Sequence, residues 1–215
     1  TALFNYLFSK KYGGSFILRI EDTDLERSDP KWEEDIIDNL HWLGIVWDEG
    51  PIKQNSSTKL KHQKYIGEYG PYRQSERIET YARYIEKLLH ERKAYHCFCS
   101  EEELERQRQE QLRRGEAPKY SGKCRKLSQK EVARNLAQGK KSIIRFKIPD
   151  KKVAFYDLIR GKIEFDTSLI GDIAIAKDLV TPLYNFAVVV DDFEMNITHV
   201  IRGEDHISNT PKQIL

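Results

Sequence analysis

Hydrophobic residues recur at helical spacing from the first residues of the chain. Leu3, Phe4, Leu7 and Phe8 form such a pattern, and the pair Gly13-Gly14 stops it. The next six residues, SFILRI, form a short apolar run between breakers, which predicts a buried strand. The run ends in Glu21-Asp22-Thr23-Asp24. Ser28-Asp29-Pro30 then supplies a helix N-cap and a proline for the first turn. The helix predicted after it carries Trp32, Ile36, Ile37, Leu40 and Leu43 as its apolar face and stops at Gly44. Helix, strand, acidic loop, helix is the rhythm of a parallel α/β sheet.

Residues 50–73 have no clear period and read as a loop. An amphipathic helix is predicted at about 74–92, with Ile78, Tyr81, Ile85, Leu88 and Leu89 on one side. The Glu/Arg/Gln-rich stretch 101–114 reads as a solvated helix. Alternating runs follow, SIIRFKI, KVAFYDLI, GKIEFD and DIAIAKD, so the middle of the chain has the texture of a second, mixed domain. YNFAVVVDD, at 184–192, is apolar enough to be a buried helix or a strand, and periodicity does not decide between them. ITHVIRGED reads as strand-to-loop, with a helix opening after His206.

Composition narrows the class. With 39% hydrophobic and 33% charged residues, 215 residues hold enough apolar mass for a folded core. The longest wholly apolar runs are about five residues, such as Phe186–Val190, too short to span a bilayer. Three cysteines exclude a disulfide-stapled scaffold and suit a reducing compartment. The net charge of +2 hides two opposed blocks. Residues 21–49 hold eleven acids against two bases, and residues 119–141 hold eight bases against one acid. Such blocks are either solvated faces or a means of steering a polyanion onto one side of the protein.

Two clusters could carry chemistry. The acidic group that opens with Glu21 falls where the predicted strand ends, the place where open α/β sheets bind ligands. A carboxylate there holds an ammonium group or a metal, or else only caps the following helix. Cys97-x-Cys99 is followed by Cys124, with Tyr120 four residues before it. Two thiolates one residue apart can grip one metal ion, and a third leaves a fourth position for Tyr120 or His96; the alternative is three buried thiols. Lys126-Leu127-Ser128-Gln129-Lys130 has the look of a phosphate-binding loop but lies beside the cysteines and is read as coincidence.

Several long strings together narrow the reading further. TALFNYLFSKKYGGSFILRIEDTD, LGIVWDEG, GPYRQSER and LYNFAVVVDDFEMNITHVIRGEDHISNTPKQ, in this order, closely resemble glutamyl-tRNA synthetases of the bacterial or organellar type, a family of class I aminoacyl-tRNA synthetases. The resemblance runs from Thr1 to Leu215 and weakens at 52–68, which looks like an insertion.

The resemblance implies an α/β fold: a Rossmann-like parallel sheet interrupted by an inserted α+β acceptor-binding domain. Residues 1–94 would be the first half of the catalytic domain, 95–185 the insertion, and 186–215 the start of the second half. It implies ATP-dependent activation of L-glutamate, assisted by magnesium (Mg2+) and by bound tRNA, and transfer to the 3' end of tRNA(Glu). Glu21 matches the residue that holds the substrate's α-ammonium. Tyr184 and Val188 match residues of the amino-acid pocket, Arg202 an arginine that contacts the glutamate, and Asp205 an acid near ATP. Cys97, Cys99, Tyr120 and Cys124 match a zinc (Zn2+) knuckle in which Lys126 stands where some members have histidine. The basic region 119–141 would meet the tRNA acceptor end. A monomer in the cytoplasm, or in an organelle matrix, is the expectation.

The family's HIGH motif would lie before Thr1 and its KMSKS-type loop after Leu215. The chain therefore reads as part of a longer enzyme, and by itself it is expected to form little aminoacyl-adenylate. Two rival readings are a glutamyl-queuosine tRNA(Asp) synthetase, which shares the Tyr-x-x-x-Cys pattern, and a non-catalytic, zinc-braced RNA-binding module.

Overall fold

The computed structural model describes residues 1–23, 28–52 and 64–215. Asp24 of the acidic group, and most of the insertion expected at 52–68, lie outside the described residues. The chain divides into two compact units, Thr1–Ile78 with Val190–Glu204, and Glu79–Val189 with Asp205–Leu215.

In the first unit, α1 (Ala2–Tyr12) ends at Gly13, whose left-handed backbone donates its N–H to the Ser9 carbonyl. Of the apolar set Leu3, Phe4, Leu7 and Phe8, the first three are exposed and Phe8 is half-buried. The packed side instead carries Ala2 and Tyr6, which join the core of Phe16, Ile37, Leu40, Ile45 and Trp47. Asn5 and Ser9 share that side, because Asn5 donates to the Ile201 carbonyl at 2.8 Å and Ser9 to its own Tyr6 carbonyl at 2.8 Å. Small and locally satisfied side chains let the helix approach closely, where larger ones would hold it off.

Helix α2 (Pro30–Trp42) starts as the sequence indicates, with Asp29 accepting from the Lys31 N–H and proline in the first turn. Of its expected face, Ile37 and Leu40 are buried, while Trp32, Ile36 and Leu43 are exposed. The exposed three form a separate stripe, a quarter-turn or less from the covered one.

The predicted strand SFILRI forms no continuous ladder. Ile17 makes a parallel bridge to Glu49 and Ile20 a parallel bridge to Arg73. The Leu18 N–H donates to the Glu49 carbonyl and the Ile20 N–H to the Tyr72 carbonyl, each at 2.8 Å. The segment changes neighbours every two residues, so each pairing is too short to be a strand, although its direction is the parallel one expected. The only ladder of this unit among the described residues is a two-residue antiparallel pair, β1 (Gly50–Pro51) with β2 (Tyr65–Ile66). Gly50 sits at φ 148°, and a Cβ there would come 2.8 Å from the Leu18 carbonyl oxygen, which requires glycine.

The second unit begins at Glu79, in the first turn of α3 (Ile78–His90), which buries Tyr81 and Ile85. Strands β3 (Ala94–Cys97), β4 (Ile143–Phe146) and β7 (Ile173–Ala176) form an antiparallel sheet in the order β3-β4-β7. The connections hold α4 (Glu101–Arg113) and α5 (Gln129–Ala137), and a hairpin of β5 (Lys152–Asp157) and β6 (Gly161–Asp166). At the hairpin tip Asp157 accepts the N–H groups of Ile159 and Arg160, each at 2.8 Å. YNFAVVVDD is resolved as helix: α6 spans Tyr184–Glu194. Residues 197–203 form no strand; a 3-10 turn at Glu204–His206 precedes α7 (Thr210–Ile214).

Candidate active site and metal centre

Glu21 stands at the carboxyl end of the twice-bridged segment and is exposed. Arg19 lies two residues earlier, on the same face of the extended chain, and its Nη2 donates to Glu21 Oε1 at 2.9 Å. Arg19 also donates through Nη1 to Asp192 Oδ1 at 2.8 Å, and its Nε lies 3.6 Å from Asp191 Oδ2. Burial opposes the charge of this guanidinium, but Asp192 and Glu21 outweigh it and hold Arg19 protonated above its ordinary value.

Asp191 has no solvent exposure. It accepts Arg77 Nε at 2.7 Å through Oδ1 and Gln74 Nε2 at 2.8 Å through Oδ2. Arg77 is itself buried and donates to the carbonyls of Pro71 and Tyr69, at 3.1 and 3.3 Å. A buried carboxylate paired and hydrogen-bonded in this way fixes the geometry around it, and removing either charge would leave the other uncompensated. Sequence reading missed Arg19, Arg77, Asp191 and Asp192. The one available signal was the acid pair that follows the apolar run Phe186–Val190 within α6.

Arg202 is half-buried in the unit that holds Glu21. Tyr184, Val188 and Asp205 belong to the other unit. Tyr184 and Val188 occupy successive turns of α6. The Tyr184 hydroxyl lies 3.4 Å from His206 Nδ1 and is partly exposed, and Val188 is buried. Asp205 is well exposed, 3.6 Å from His206 Nε2. The structure thus adds His206 as the residue that links Tyr184 to Asp205.

The cysteines converge as their spacing indicates. All three sulphurs lie within 4.8 Å of one another. Cys99 Sγ is 3.7 Å from Cys124 Sγ, and the Tyr120 hydroxyl lies 3.3 Å from Cys97 Sγ and 3.5 Å from Cys99 Sγ. Around a tetrahedral zinc with Zn–S of about 2.3 Å, two sulphurs sit about 3.8 Å apart and a sulphur and an oxygen about 3.5 Å. The donor set suits that ion, and the three edges given lie close to these values. His96, the other candidate ligand, stands on the opposite face of β3 from Cys97, and its Nδ1 lies 3.0 Å from Ser142 Oγ.

Burial raises the cost of ionising Cys97, but hydrogen bonds from Tyr120 and from the Cys99 N–H, together with Arg145, hold the thiol below its ordinary value. Burial and the negative charge of Cys97 push Cys99 up to about 12. Burial and the hydrogen bond to Cys97 push Tyr120 up as well. The Arg145 guanidinium sits 4.0 Å from the centre of the Tyr120 ring. It is held there through Nη1, which donates to the Asp172 carbonyl at 3.1 Å. The Asp172 carboxylate takes Tyr95 at 2.7 Å, the Ile148 N–H at 2.8 Å and Arg125 at 3.0 Å.

In the basic region, Lys123 pairs with Glu103 at 2.5 Å and Arg125 with Asp172, while Lys126, Lys130 and Arg134 are exposed. The phosphate-loop look-alike at 126–130 has a local explanation. Ser128 is the N-cap of α5, and with Glu131 it forms a complete capping box.

The chain matches, over residues 1–215, the family described as tRNA synthetases class I (E and Q), catalytic domain, and it belongs to that family. It is 53% identical over 215 residues to a glutamate–tRNA ligase of Sulfurihydrogenibium sp., and 54% identical over 217 residues to glutamate–tRNA ligase 2 of Caldanaerobacter subterraneus. Both alignments cover 100% of this chain and 42% of the relative, so the chain spans about two-fifths of the length of these curated relatives. Its fold is similar to a solved glutamate tRNA ligase from Elizabethkingia meningosepticum in complex with its amino acid, with a TM-score of 0.85 and 42% identity over 99% of this chain and 42% of that one. No helix of the described residues is long and apolar enough to cross a membrane.

Proposed function

We propose that this chain is the part of a glutamate–tRNA ligase that grips L-glutamate and presents it, with ATP, to the 3' end of tRNA(Glu). The observation that carries the reading is the similarity, over its whole length, to ligases named for glutamate, one of them solved with its amino acid. Glu21 holds the α-ammonium and Arg202 a carboxylate. By the resemblance, Tyr184 and Val188 also contribute to recognition of the amino acid, and Asp205 to binding of ATP. Charge argues for these roles, since a carboxylate complements an ammonium and a guanidinium fork complements a carboxylate.

In the first step an α-carboxylate oxygen attacks the α-phosphorus of ATP in line, and pyrophosphate leaves. In the second a terminal ribose hydroxyl attacks the carbonyl of the mixed anhydride, and AMP leaves. Magnesium bound with ATP supplies charge neutralisation at the phosphates. The work of the protein is to orient the glutamate and to keep its opposed charges matched. The inserted acceptor-binding domain takes residues 95–185 of a Rossmann-like sheet, and its basic stretch 119–141 faces the tRNA. Cys97, Cys99, Cys124 and Tyr120 hold zinc, which braces that stretch by tying β3 to the segment 120–124.

Two measurements test this. Calorimetry with the protein should show saturable binding of L-glutamate and much weaker binding of L-glutamine; equal affinities would remove the assignment. Metal analysis should find about one zinc per chain, falling well below one in Cys124→Ser; unchanged metal content in that variant would end the zinc reading.

A further inference from the structure

Arg19 and Arg77 face Asp191, Asp192 and Glu21. The groups differ in depth. Asp191 is fully enclosed and shares Arg77 and Gln74, whereas the side chains of Asp192 and Glu21 are 29% and 35% exposed. Arg19 thus bridges two carboxylates that reach the surface. Glu21 Oε1 accepts from Arg19, and Glu21 Oε2 accepts no hydrogen bond among the described residues. One carboxylate oxygen is engaged by the protein and the other is left to receive a donor.

Arg19 is held mainly from one side. Its Nη1 donates to Asp192 at 2.8 Å. Its Nε makes no hydrogen bond, Asp191 being 3.6 Å away and already engaged. Asp192 is thus the group that sets the angle of the guanidinium, and the guanidinium sets the angle of Glu21. A glutamate side chain otherwise rotates about three bonds, and ordering it at the moment of binding costs affinity.

We propose that Asp192 and Arg19 are positioning residues for the amino-acid site: Asp192 clamps Arg19, and Arg19 pins one oxygen of Glu21 so that the other meets the substrate's ammonium. This rests on the reading of Glu21 as the ammonium-binding group. The clamp holds the group that meets the ammonium, so it acts on amino-acid affinity and leaves ATP affinity alone.

The test is ATP–pyrophosphate exchange by the intact protein with tRNA present, following KM for L-glutamate and for ATP separately. Asp192→Asn should raise the glutamate KM about tenfold, leave the ATP KM within about twofold and keep the thermal midpoint near that of the parent. Asp192→Glu should recover most of the loss. Arg19→Lys, which keeps the charge but lacks the planar fork that spans Asp192 and Glu21, should raise the glutamate KM in the same way and serves as the second variant if Asp192→Asn folds poorly. The double variant Glu21→Gln/Asp192→Asn should be no worse than Glu21→Gln alone, because the clamp has then lost its object. Equal effects on both KM values, or additive effects in the double variant, would reduce the cluster to scaffolding and overturn the proposal. If Glu21→Gln raises the glutamate KM and neither clamp variant does, the clamp fails while the reading of Glu21 stands. A parent-like glutamate KM in Glu21→Gln would remove both.

Discussion

Glutamate and glutamine differ at one terminus, a carboxylate against an amide, so choosing between them falls to a charged side chain. On the proposed reading that side chain is Arg202. Replacing it with Gln should lower kcat/KM for L-glutamate about a hundredfold and narrow the preference over L-glutamine, because the fork no longer leaves an unpaired charge facing the amide. Kinetics with both amino acids checks this, and an unaltered ratio would count against it. Asp48 offers a pH-dependent counterpart. The Phe16 N–H holds its carboxyl below the ordinary range, burial opposing and Lys10 assisting. A carboxyl with a depressed folded-state pKa stabilises the fold above its unfolded value near 4, and that stabilisation fades as pH falls through the folded value. Asp48→Asn should therefore flatten the acid side of the stability profile and leave the neutral-to-basic side flat. Denaturant titrations between about pH 2 and pH 7 would show it.

Elements differ in how far their own residues specify them. Helix α5 is nearly self-specified: Ser128 and Glu131 close a reciprocal cap, and Ser128→Ala should cost about 1 kcal/mol in a urea titration. The cap of α2 at Asp29 and the glycine stop of α1 were legible for the same reason, since the bonds that make them span four residues or fewer. The cysteine cluster was legible because three thiols and a tyrosine are rare enough to be noticed. What stayed hidden depends on distant partners. The covered faces of α1 and α2 could not be chosen from spacing, since both helices carry more apolar positions than the core of their unit accepts. Gln74 and Arg77 reach Asp191 across 117 and 114 residues, and nothing local marks them as partners. YNFAVVVDD was open between helix and strand because a run apolar on all sides has no period to read.

At the scale of the whole molecule, the opposed blocks of charge matter more than the net value of +2. Lys126, Lys130 and Arg134 are exposed and remain available to a polyanion, whereas Lys123 and Arg125 are engaged with Glu103 and Asp172. Reversing the first three to Glu should weaken tRNA binding and reduce the slope of log affinity against log salt by about two to three, with L-glutamate binding unchanged. Filter binding at several salt concentrations reads that slope, and a slope equal to the parent's would place the RNA contact elsewhere. A last consequence concerns how the first unit comes together. The amide of Leu18 is bonded to Glu49 and that of Ile20 to Tyr72, two stretches of chain that must both arrive before this short segment is pinned. Glu21, one residue beyond, is consequently assembled late and loosened only when a large part of the unit opens. In deuterium the Leu18 and Ile20 protons should belong to the slowest-exchanging class of their unit, which would seat the acid proposed to meet the ammonium on the part of the backbone least prone to open.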